Sequence, residues 1–138
     1  MPKQIRTDQA PAPGGFYSQA VQAGNLVFIS GQLPFDCQRH VVGHTPGQQA
    51  RQALKNVQAI LEAAGGQLRD LVSVTLYITD MEYWSEVNAV YGEFMASVEI
   101  KPARAVVPVN ELKFGAMIEI QAIAALPQTL SQTTEPQS

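Results

Sequence analysis

KPARAVVPVNELKFGAMIEIQAIAA, residues Lys101–Ala125, contains two apolar runs joined by a short polar connection with a glycine. Runs of this kind predict two strands of a sheet. Each run carries one charged side chain among apolar neighbours, Arg104 in the first and Glu119 in the second. A charge within a core-like strand is costly unless another group pairs with it. The two residues are therefore either a structural ion pair or the polar end of a ligand site, and periodicity alone leaves both interpretations open.

Two amphipathic helices and a strand precede this stretch. Thr45-Pro46 predicts the start of the first helix, because threonine can cap it and proline fits its first position; Gly65-Gly66 ends it. Residues 71–78 alternate as a central strand, and a second helix follows from Thr79-Asp80 to near Ser97. The predicted buried stripes contain Ala50, Ala53, Leu54, Val57, Ile60, Leu61 and Ala64 in the first helix, and Trp84, Val87, Tyr91, Phe94 and Met95 in the second.

The N-terminal third predicts an irregular lead-in over residues 7–15 and then a β-hairpin. Its strand-like runs are residues 17–21 and 26–30, with Gly24-Asn25 between them as turn residues. The second run is almost wholly apolar, so both of its faces are predicted to be covered. Helices with one apolar stripe need a sheet face to bury it, which predicts a single two-layer α+β domain over residues 1–126. The polar residues 127–138 are predicted to be a disordered tail.

Composition excludes several classes of function. The 138 residues carry a net charge of −3 and no run of Lys or Arg, so nucleic-acid binding is not supported. No apolar stretch is long enough to span a bilayer, no apolar leader begins the chain, and a single cysteine excludes an internal disulfide. A soluble cytoplasmic protein is predicted. The chain also lacks the short motifs of nucleotide-binding loops, serine hydrolases and zinc proteases.

Outside the charge pair, few side chains suggest chemistry. Cys37, His40 and His44 have a spacing that a metal could use, but no fourth ligand is evident, and a solvated loop is the favoured interpretation. Ser30 and Gly31 end an apolar strand, where the hydroxyl either satisfies a backbone group or donates a hydrogen bond at the mouth of a pocket. Tyr17 is either an aromatic cover of the sheet edge, the favoured interpretation, or part of that pocket.

The chain resembles the Rid/YjgF family, the reactive-intermediate enamine/imine deaminases, over nearly all of residues 15–125. No single segment decides this, but their joint order and spacing are specific. The matching segments are Gly15–Ala20 (GFYSQA), Val27–Pro34 (VFISGQLP), Gln52–Val57 (QALKNV), Val87–Tyr91 (VNAVY), Pro102–Arg104 (PAR) and Ile118–Ile120 (IEI).

The resemblance implies a chorismate-mutase-like two-layer domain, with a mixed β-sheet and two helices on one face, assembled as a homotrimer. It implies a site in each cleft between neighbouring subunits, where Arg104 binds the substrate carboxylate. Tyr17, Ser30, Gly31 and Glu119 match residues that line the same cleft. Glu119, Tyr17 and Ser30 are thereby predicted to be catalytic, and Arg104, Gly31 and the backbone of Val106 to bind substrate.

Three positions depart from the family pattern. Val106 stands where a cysteine is frequent, which affects substrate preference or sensitivity to oxidation more than activity. Leu112-Lys113 replaces a frequent Leu-Pro and alters the rim of the cleft, and Gln121 replaces a frequent second acid.

The implied reaction is hydrolytic deamination of short 2-enamino and 2-imino acids, such as 2-aminoacrylate and 2-iminopropionate, without cofactor or metal. One alternative is a larger enamine such as 2-aminomuconate, since Val106 and the rim at residues 113–115 leave room for it. Another is a non-catalytic trimer that binds keto acids or has a regulatory role, although the presence of both Arg104 and Glu119 favours catalysis. RNA cleavage is disfavoured by the acidic charge balance.

Overall fold

Six strands form one mixed sheet in the structure, a computed structural model that describes residues 1–127. The order across the sheet is β1-β2-β3-β6-β4-β5; β4 and β5 are parallel, and all other neighbours are antiparallel. The strands are β1 (Lys3–Ile5), β2 (Ala20–Ala23), β3 (Leu26–Gln32), β4 (Leu71–Ile78), β5 (Ala103–Pro108) and β6 (Ile118–Ala125). The predicted α+β class and mixed sheet are confirmed, whereas the tail prediction falls largely on residues outside the described ones.

The first helix begins where its capping residue predicts, and the second begins one turn later than predicted. In α1 (Pro46–Ala63) the Thr45 hydroxyl accepts a hydrogen bond from the Gln48 amide at 3.1 Å, and Gly65 follows the helix with φ of 88°. Asp80 instead caps a short 3₁₀ turn over Met81–Tyr83, and α2 (Trp84–Phe94) continues from that turn. The prediction of a helix directly after Asp80 is therefore corrected by one turn.

Both helices pack on the same face of the sheet and form one core with it. Alternate residues of β4 and β6 face the helices and are almost completely buried, as period-two alternation predicts. The core contains Val27, Ile29, Ala50, Ala53, Leu54, Val57, Ile60, Leu61, Val74, Leu76, Ile78, Val87, Tyr91, Met95, Ile118, Ile120, Ala122 and Ala124. Two helices on one face are thus confirmed.

The opposite face of the sheet, called here the open face, is uncovered in a single chain. Leu26 and Phe28 of β3 lie on it and are 37% and 43% exposed. The prediction that both faces of this strand are covered is therefore wrong within one chain. The sequence also gave no sign of β1, because a three-residue edge strand with one buried residue has no measurable periodicity.

Polar residues of α1 hold the loops that surround one end of the open face. Asn56 is 3% exposed, and its amide donates to the carbonyls of Leu33 and Phe35 at 3.2 and 2.9 Å. Gln49 is 4% exposed and accepts from the Met117 amide at 2.8 Å. Gln49 lies outside the apolar stripe predicted for α1 and is nevertheless buried, because periodicity does not distinguish a solvated polar residue from one that binds a loop.

Candidate active site

A β-bulge interrupts β3 where the apolar run ends. Ile29 pairs with Ala122 and Gln32 pairs with Ile120, so Ser30 and Gly31 together lie opposite Gln121 alone. A bulge bends a strand and redirects its side chains, and bulges are frequent beside functional sites. Here the bulge lies beside Glu119, which is on the open face because its strand partner Tyr77 alternates with the buried residues of β4.

A cavity of about 550 Å³ opens beside the bulge. The lead-in, the loop after β3 and the connection before β6 form its walls, so four predicted site residues meet in it. Its lining includes Gly14, Tyr17, Ser30, Gly31, Phe35, Arg39, Glu111, Lys113, Glu119 and Gln121. The catalytic and binding roles of the four stay predictions.

The hydroxyl of Ser30 has a defined direction. Its Oγ donates to the Ser18 carbonyl oxygen at 2.6 Å, so its proton is already used. A hydroxyl also has two acceptor lone pairs, and these remain for a donor in the cavity. Of the two interpretations that the sequence left open, the structure shows the first: the Ser30 hydroxyl satisfies a backbone group, and it can serve as an acceptor in the cavity.

Tyr17 has the opposite hydrogen-bonding role, because its hydroxyl accepts within the chain. Its phenolic oxygen accepts from the Gly14 amide at 3.1 Å, which leaves its own proton free to donate. Tyr17 is 50% exposed and borders the cavity. Tyr17 and Ser30 thus offer the cavity one donor and one acceptor.

Gln19 holds the lead-in that carries Tyr17. It is 2% exposed; its Oε1 accepts from the Thr7 amide at 2.8 Å, and its Nε2 donates to the Pro11 carbonyl at 2.9 Å. An irregular segment without helix or strand bonds needs such partners for its backbone groups. Gln19 is part of the matching segment Gly15–Ala20, but a lone glutamine before a strand has no pattern that predicts this role.

Glu119 is half-buried among the residues of this cavity. Burial raises the pKa of the Glu119 carboxyl above its usual range, and the positive charge of Lys113 offsets part of that rise. A carboxyl whose pKa moves toward neutrality can both accept and return a proton at working pH. An ideal Cβ placed on Gly31 would lie 2.5 Å from Glu119 Oε2, so a side chain at position 31 would displace the carboxylate.

Glu119→Gln is expected to stabilise the folded protein at neutral pH. Because folding raises the pKa of Glu119, its ionised form costs free energy above the folded-state pKa, and this cost disappears below about pH 4, where the group is protonated in both states. The expected gain at pH 7.5 is at most about 1 kcal/mol, since the half-exposed group is screened by solvent.

Urea unfolding at pH 7.5 and pH 4, at one fixed protein concentration, measures this difference. Glu62→Gln, at an exposed position of α1, is the matched control and is expected to change neither value. The measured quantity is the change in unfolding free energy that Glu119→Gln causes at each pH. If the substitution stabilises the protein less at pH 7.5 than at pH 4, folding does not destabilise the Glu119 carboxylate.

Arg104 does not lie in this cavity. It pairs with Val74 on β4, and Val74 faces the helices, whereas Glu119 is on the open face. The Arg104 guanidinium donates to Asn88 Oδ1 at 2.9 Å and lies over the rings of Trp84 and Tyr91, at 4.8 and 4.9 Å. An ion pair between Arg104 and Glu119 within one chain, left open by the sequence, is therefore wrong.

The surroundings of Arg104 include a polar group without a partner. The Tyr91 hydroxyl is buried and makes no hydrogen bond within residues 1–127. Burial raises the pKa of Tyr91, and the charge of Arg104 offsets part of that rise. Val106 is two residues further along β5, at the edge of the sheet, and packs partly against the core. Arg104 and Val106 are thus together, but apart from the four residues of the cavity.

The other candidates contribute no site. Cys37 is an exposed free thiol, and His40 lies 3.8 Å from Asp36. Across residues 1–127 no group of three or more His, Cys, Asp or Glu side chains is arranged to hold a metal ion. Over the same residues, no helix has the length and apolar character required to cross a membrane.

Similarity to known proteins assigns the chain to a family. The family model described as Endoribonuclease L-PSP matches residues 7–126. The 2-iminobutanoate/2-iminopropanoate deaminase of Salmonella typhimurium is 42% identical over 125 residues, covering 90% of this chain and 98% of that protein. The crystal structure of the YjgF gene product from E. coli matches with a TM-score of 0.85 and 41% identity, covering 89% of this chain and 98% of that one. The chain belongs to the Rid/YjgF family.

Relatives within the Rid/YjgF family carry different names. A RutC family protein of Pyrococcus horikoshii is 46% identical over 125 residues, covering 90% of this chain and 98% of that protein. RutC family, imine deaminase and endoribonuclease all occur among the names. Membership in the Rid/YjgF family therefore establishes the fold and the family, and the reaction has to be argued from the cavity.

Proposed function

We propose that this protein is a hydrolytic deaminase of short 2-enamino and 2-imino acids, such as 2-aminoacrylate and 2-iminopropionate. The observation that supports it best is the cavity beside the bulge, where Glu119 with its raised pKa lies among Ser30, Gly31 and Tyr17. A donor, an acceptor and a carboxyl able to move a proton are the groups that imine hydrolysis needs. The deaminase name of relatives at 42% identity agrees with this reaction.

The proposed chemistry is addition of water followed by loss of ammonia. The enamine first takes a proton from solvent on its terminal carbon to give the iminium form of the imine. Glu119 removes a proton from water as the oxygen bonds to the imine carbon, which gives the neutral carbinolamine, and Glu119 then passes that proton to the nitrogen. As the C–N bond breaks, Glu119 takes the hydroxyl proton and returns it to solvent, and ammonia and a 2-keto acid leave. The imine carbon is already electrophilic, so no cofactor is required.

Tyr17 and Ser30 are proposed to orient the reactants. Ser30 can accept a hydrogen bond from the imine N–H or the attacking water, because its own proton is held by Ser18. Tyr17 can donate to the oxygen that forms on the carbon. Fixing the water and the imine in this geometry and transferring the proton each supply a factor of about 10² to 10⁴.

Arg104 is proposed to reach the cavity from a neighbouring subunit of a homotrimer. An arginine fork matches the substrate carboxylate in two-point geometry. Since Arg104 and Glu119 are on opposite faces of the sheet, one substrate can contact both only between two chains. A contact between two different surfaces, the β5 side of one chain and the cavity of the next, closes into a ring when the rotation allows.

The direct test generates 2-aminoacrylate with serine dehydratase and follows the appearance of pyruvate. Acceleration by the purified protein is the expected result, and light scattering is expected to give three times the 15.0 kDa chain mass. If no small imino acid is deaminated faster while keto acids still bind, the protein is a binding module and not an enzyme. A monomer by light scattering would remove the site between chains.

Gly31→Ala is expected to lower turnover by about 10², the cost of displacing a catalytic group by about 1 Å. The added Cβ would lie 2.5 Å from Glu119 Oε2 and 3.0 Å from its Cδ, so the carboxylate must move. The fold is expected to remain, since the obstructing atoms are at the end of a flexible side chain. The pyruvate assay and a thermal melt measure both quantities.

Gly92→Ala is the matched control for this substitution. Gly92 lies in α2, and no atom lies within 4 Å of the Cβ that alanine adds. It is expected to leave turnover unchanged. Unchanged turnover in the Gly31 variant would mean that the position of Glu119 beside Gly31 does not matter for the reaction.

A further inference from the structure

The cavity lining contains two cations that the proposed reaction does not use. Its lining includes two cations, Arg39 and Lys113, and two carboxylates, Glu111 and Glu119. Within residues 1–127 neither cation is in ion-pairing distance of a carboxylate, because the ion pairs there are His40 with Asp36 and Arg51 with Glu93. Two cations that line one cavity without an ion-pair partner can bind an anionic group there.

Arg39 retains most of its donors. Its Nη1 donates to the Ala12 carbonyl at 2.8 Å, and no other hydrogen bond of its guanidinium occurs within the described chain. A guanidinium has five N–H donors, so the remaining ones can bind a carboxylate in two-point geometry. Arg39 is exposed, so solvent and a ligand can both reach these donors.

The guanidinium is held in place before any ligand binds. Its Cζ lies 4.8 Å from the centroid of the Phe35 ring, and Phe35 in turn contacts the Phe114 ring edge-on at 5.4 Å. The backbone of Arg39 has φ of 65°, a conformation that costs energy for a residue with a side chain. The amide of Arg39 donates to the Asp36 carbonyl at 2.9 Å and stabilises that turn.

Arg39 is also close to a predicted catalytic residue. A Cβ on Gly14 would lie 2.5 Å from Arg39 Nη2, and the Gly14 amide donates to the Tyr17 hydroxyl at 3.1 Å. Arg39 and the Tyr17 hydroxyl therefore contact the same residue. A substrate that reaches Tyr17 needs only a short further extension to reach the guanidinium.

The size of the cavity leaves room for such an extension. 2-Aminoacrylate has six non-hydrogen atoms, and at the about 30 Å³ that each water molecule takes in the liquid these fill about a third of the 550 Å³. Covalently joined atoms take less. A short imino acid thus leaves most of the cavity unfilled.

We propose that Arg39, assisted by Lys113, binds a second carboxylate of the substrate, so that the preferred substrates are dicarboxylic 2-imino acids. This rests on the proposed function, because Glu119 and the neighbouring subunit's Arg104 act on the imine and on the first carboxylate as before. Arg39 forms the two-point contact, and Lys113 adds charge at the rim. Arg39 was not predictable from the sequence, since an isolated arginine in a polar loop has no recognisable pattern.

The test compares two substrates in one enzyme series. 2-Iminopropionate and 2-iminosuccinate are generated in place from L-alanine and L-aspartate by amino-acid oxidases, and release of the keto acid is followed. The variants are Arg39→Met, Arg39→Lys and Lys113→Met. Arg69→Met, at an exposed arginine outside the cavity lining, is the matched control and is expected to change neither rate.

The expected result is a change in the ratio of the two rates. Arg39→Met lowers kcat/KM for 2-iminosuccinate at least about tenfold more than for 2-iminopropionate, as loss of a charged hydrogen-bonding partner predicts. Lys113→Met shifts the ratio the same way by a smaller factor, and Arg39→Lys restores part of it. The unsubstituted protein prefers the dicarboxylic substrate.

Two outcomes would overturn the proposal, and they differ from failure of the deaminase itself. Equal losses for both substrates would mean that Arg39 only holds the lead-in through Ala12 and Phe35. If the protein does not prefer 2-iminosuccinate, and no variant changes the ratio of the two rates, Arg39 and Lys113 do not bind the substrate. If neither imino acid is deaminated faster by the unsubstituted protein, the proposed function itself fails.

Discussion

Arg104→Ala is expected to lower kcat/KM for 2-aminoacrylate by about 10² to 10⁴. The fork of Arg104 is proposed to make two charged hydrogen bonds with the substrate carboxylate, each worth about 1.5 to 3 kcal/mol. Removing the fork also leaves the carboxylate of a bound substrate without a partner. The pyruvate assay measures the loss, and Arg104→Lys is expected to recover only part of it, because an ammonium cannot match the two oxygens in one plane.

The structural role of Arg104 has to be separated from its proposed role in binding. The side chain donates to Asn88 and lies over Trp84 and Tyr91, so its removal also alters packing against α2. Arg51→Ala is the matched control. Arg51 lies in α1 and pairs with Glu93 of α2, the helix that Arg104 also contacts, but Arg51 is not among the cavity residues. It is expected to lower stability by a comparable small amount while activity is unchanged. Equal activity losses in both variants would contradict carboxylate binding by Arg104.

The layers of the fold were predictable from the sequence, because they follow from periodicity. The stripe of α1 and the alternation in β4 and β6 are each long enough to have a definite period, and nearly all of these residues are in the core; Ala64 is only partly buried, and Val72 is 45% exposed. Thr45 also begins α1 as predicted, whereas Asp80 begins a 3₁₀ turn that precedes α2. Long regular elements repeat the same physical requirement several times, so a single exception does not hide the pattern.

The cavity was harder to predict, because its parts are single residues in irregular segments. The bulge at Ser30-Gly31 depends on how β3 pairs with β6, and pairing across about 90 residues of chain is not visible in a local pattern. Gln19 and Asn56 bind backbone groups of loops, and Arg39 depends on a turn with positive φ. These residues became recognisable only when the loops they bind were in place.

The charge pair also could not be interpreted from a local sequence pattern. Arg104 and Glu119 are each one charge in an apolar strand, and the sequence correctly indicated that both need an explanation. Whether two strand residues share a face depends on the registers of β4 with β5 and with β6, which place them on opposite faces. An ion pair between the two within one chain is thereby excluded. Arg104 contacts Asn88, Trp84 and Tyr91 instead, and the proposed site between chains is an account that brings both charges together.

Mixing two inactive variants is expected to restore activity. Glu119→Gln removes the proposed proton relay, worth about 10² to 10⁴ in rate, and Arg104→Ala removes the proposed carboxylate anchor, so each variant alone is expected to be nearly inactive. After the two chains are unfolded together in equal amounts and refolded, about a quarter of the sites receive Arg104 from one variant and Glu119 from the other, as random assembly of a ring requires. The pyruvate assay is therefore expected to show about a quarter of full activity.

A chain with both substitutions, mixed equally with the unsubstituted chain, makes this test independent of the quality of refolding. If each site takes Arg104 and Glu119 from different chains, about a quarter of the sites are intact here as well, so both mixtures give the same activity. If each site takes them from one chain, the mixture with the double variant gives about a half and the mixture of single variants gives none. The second pattern would contradict a site between subunits, because Arg104 and Glu119 of one chain would then act on the same substrate. The structure places these two residues on opposite faces of the sheet.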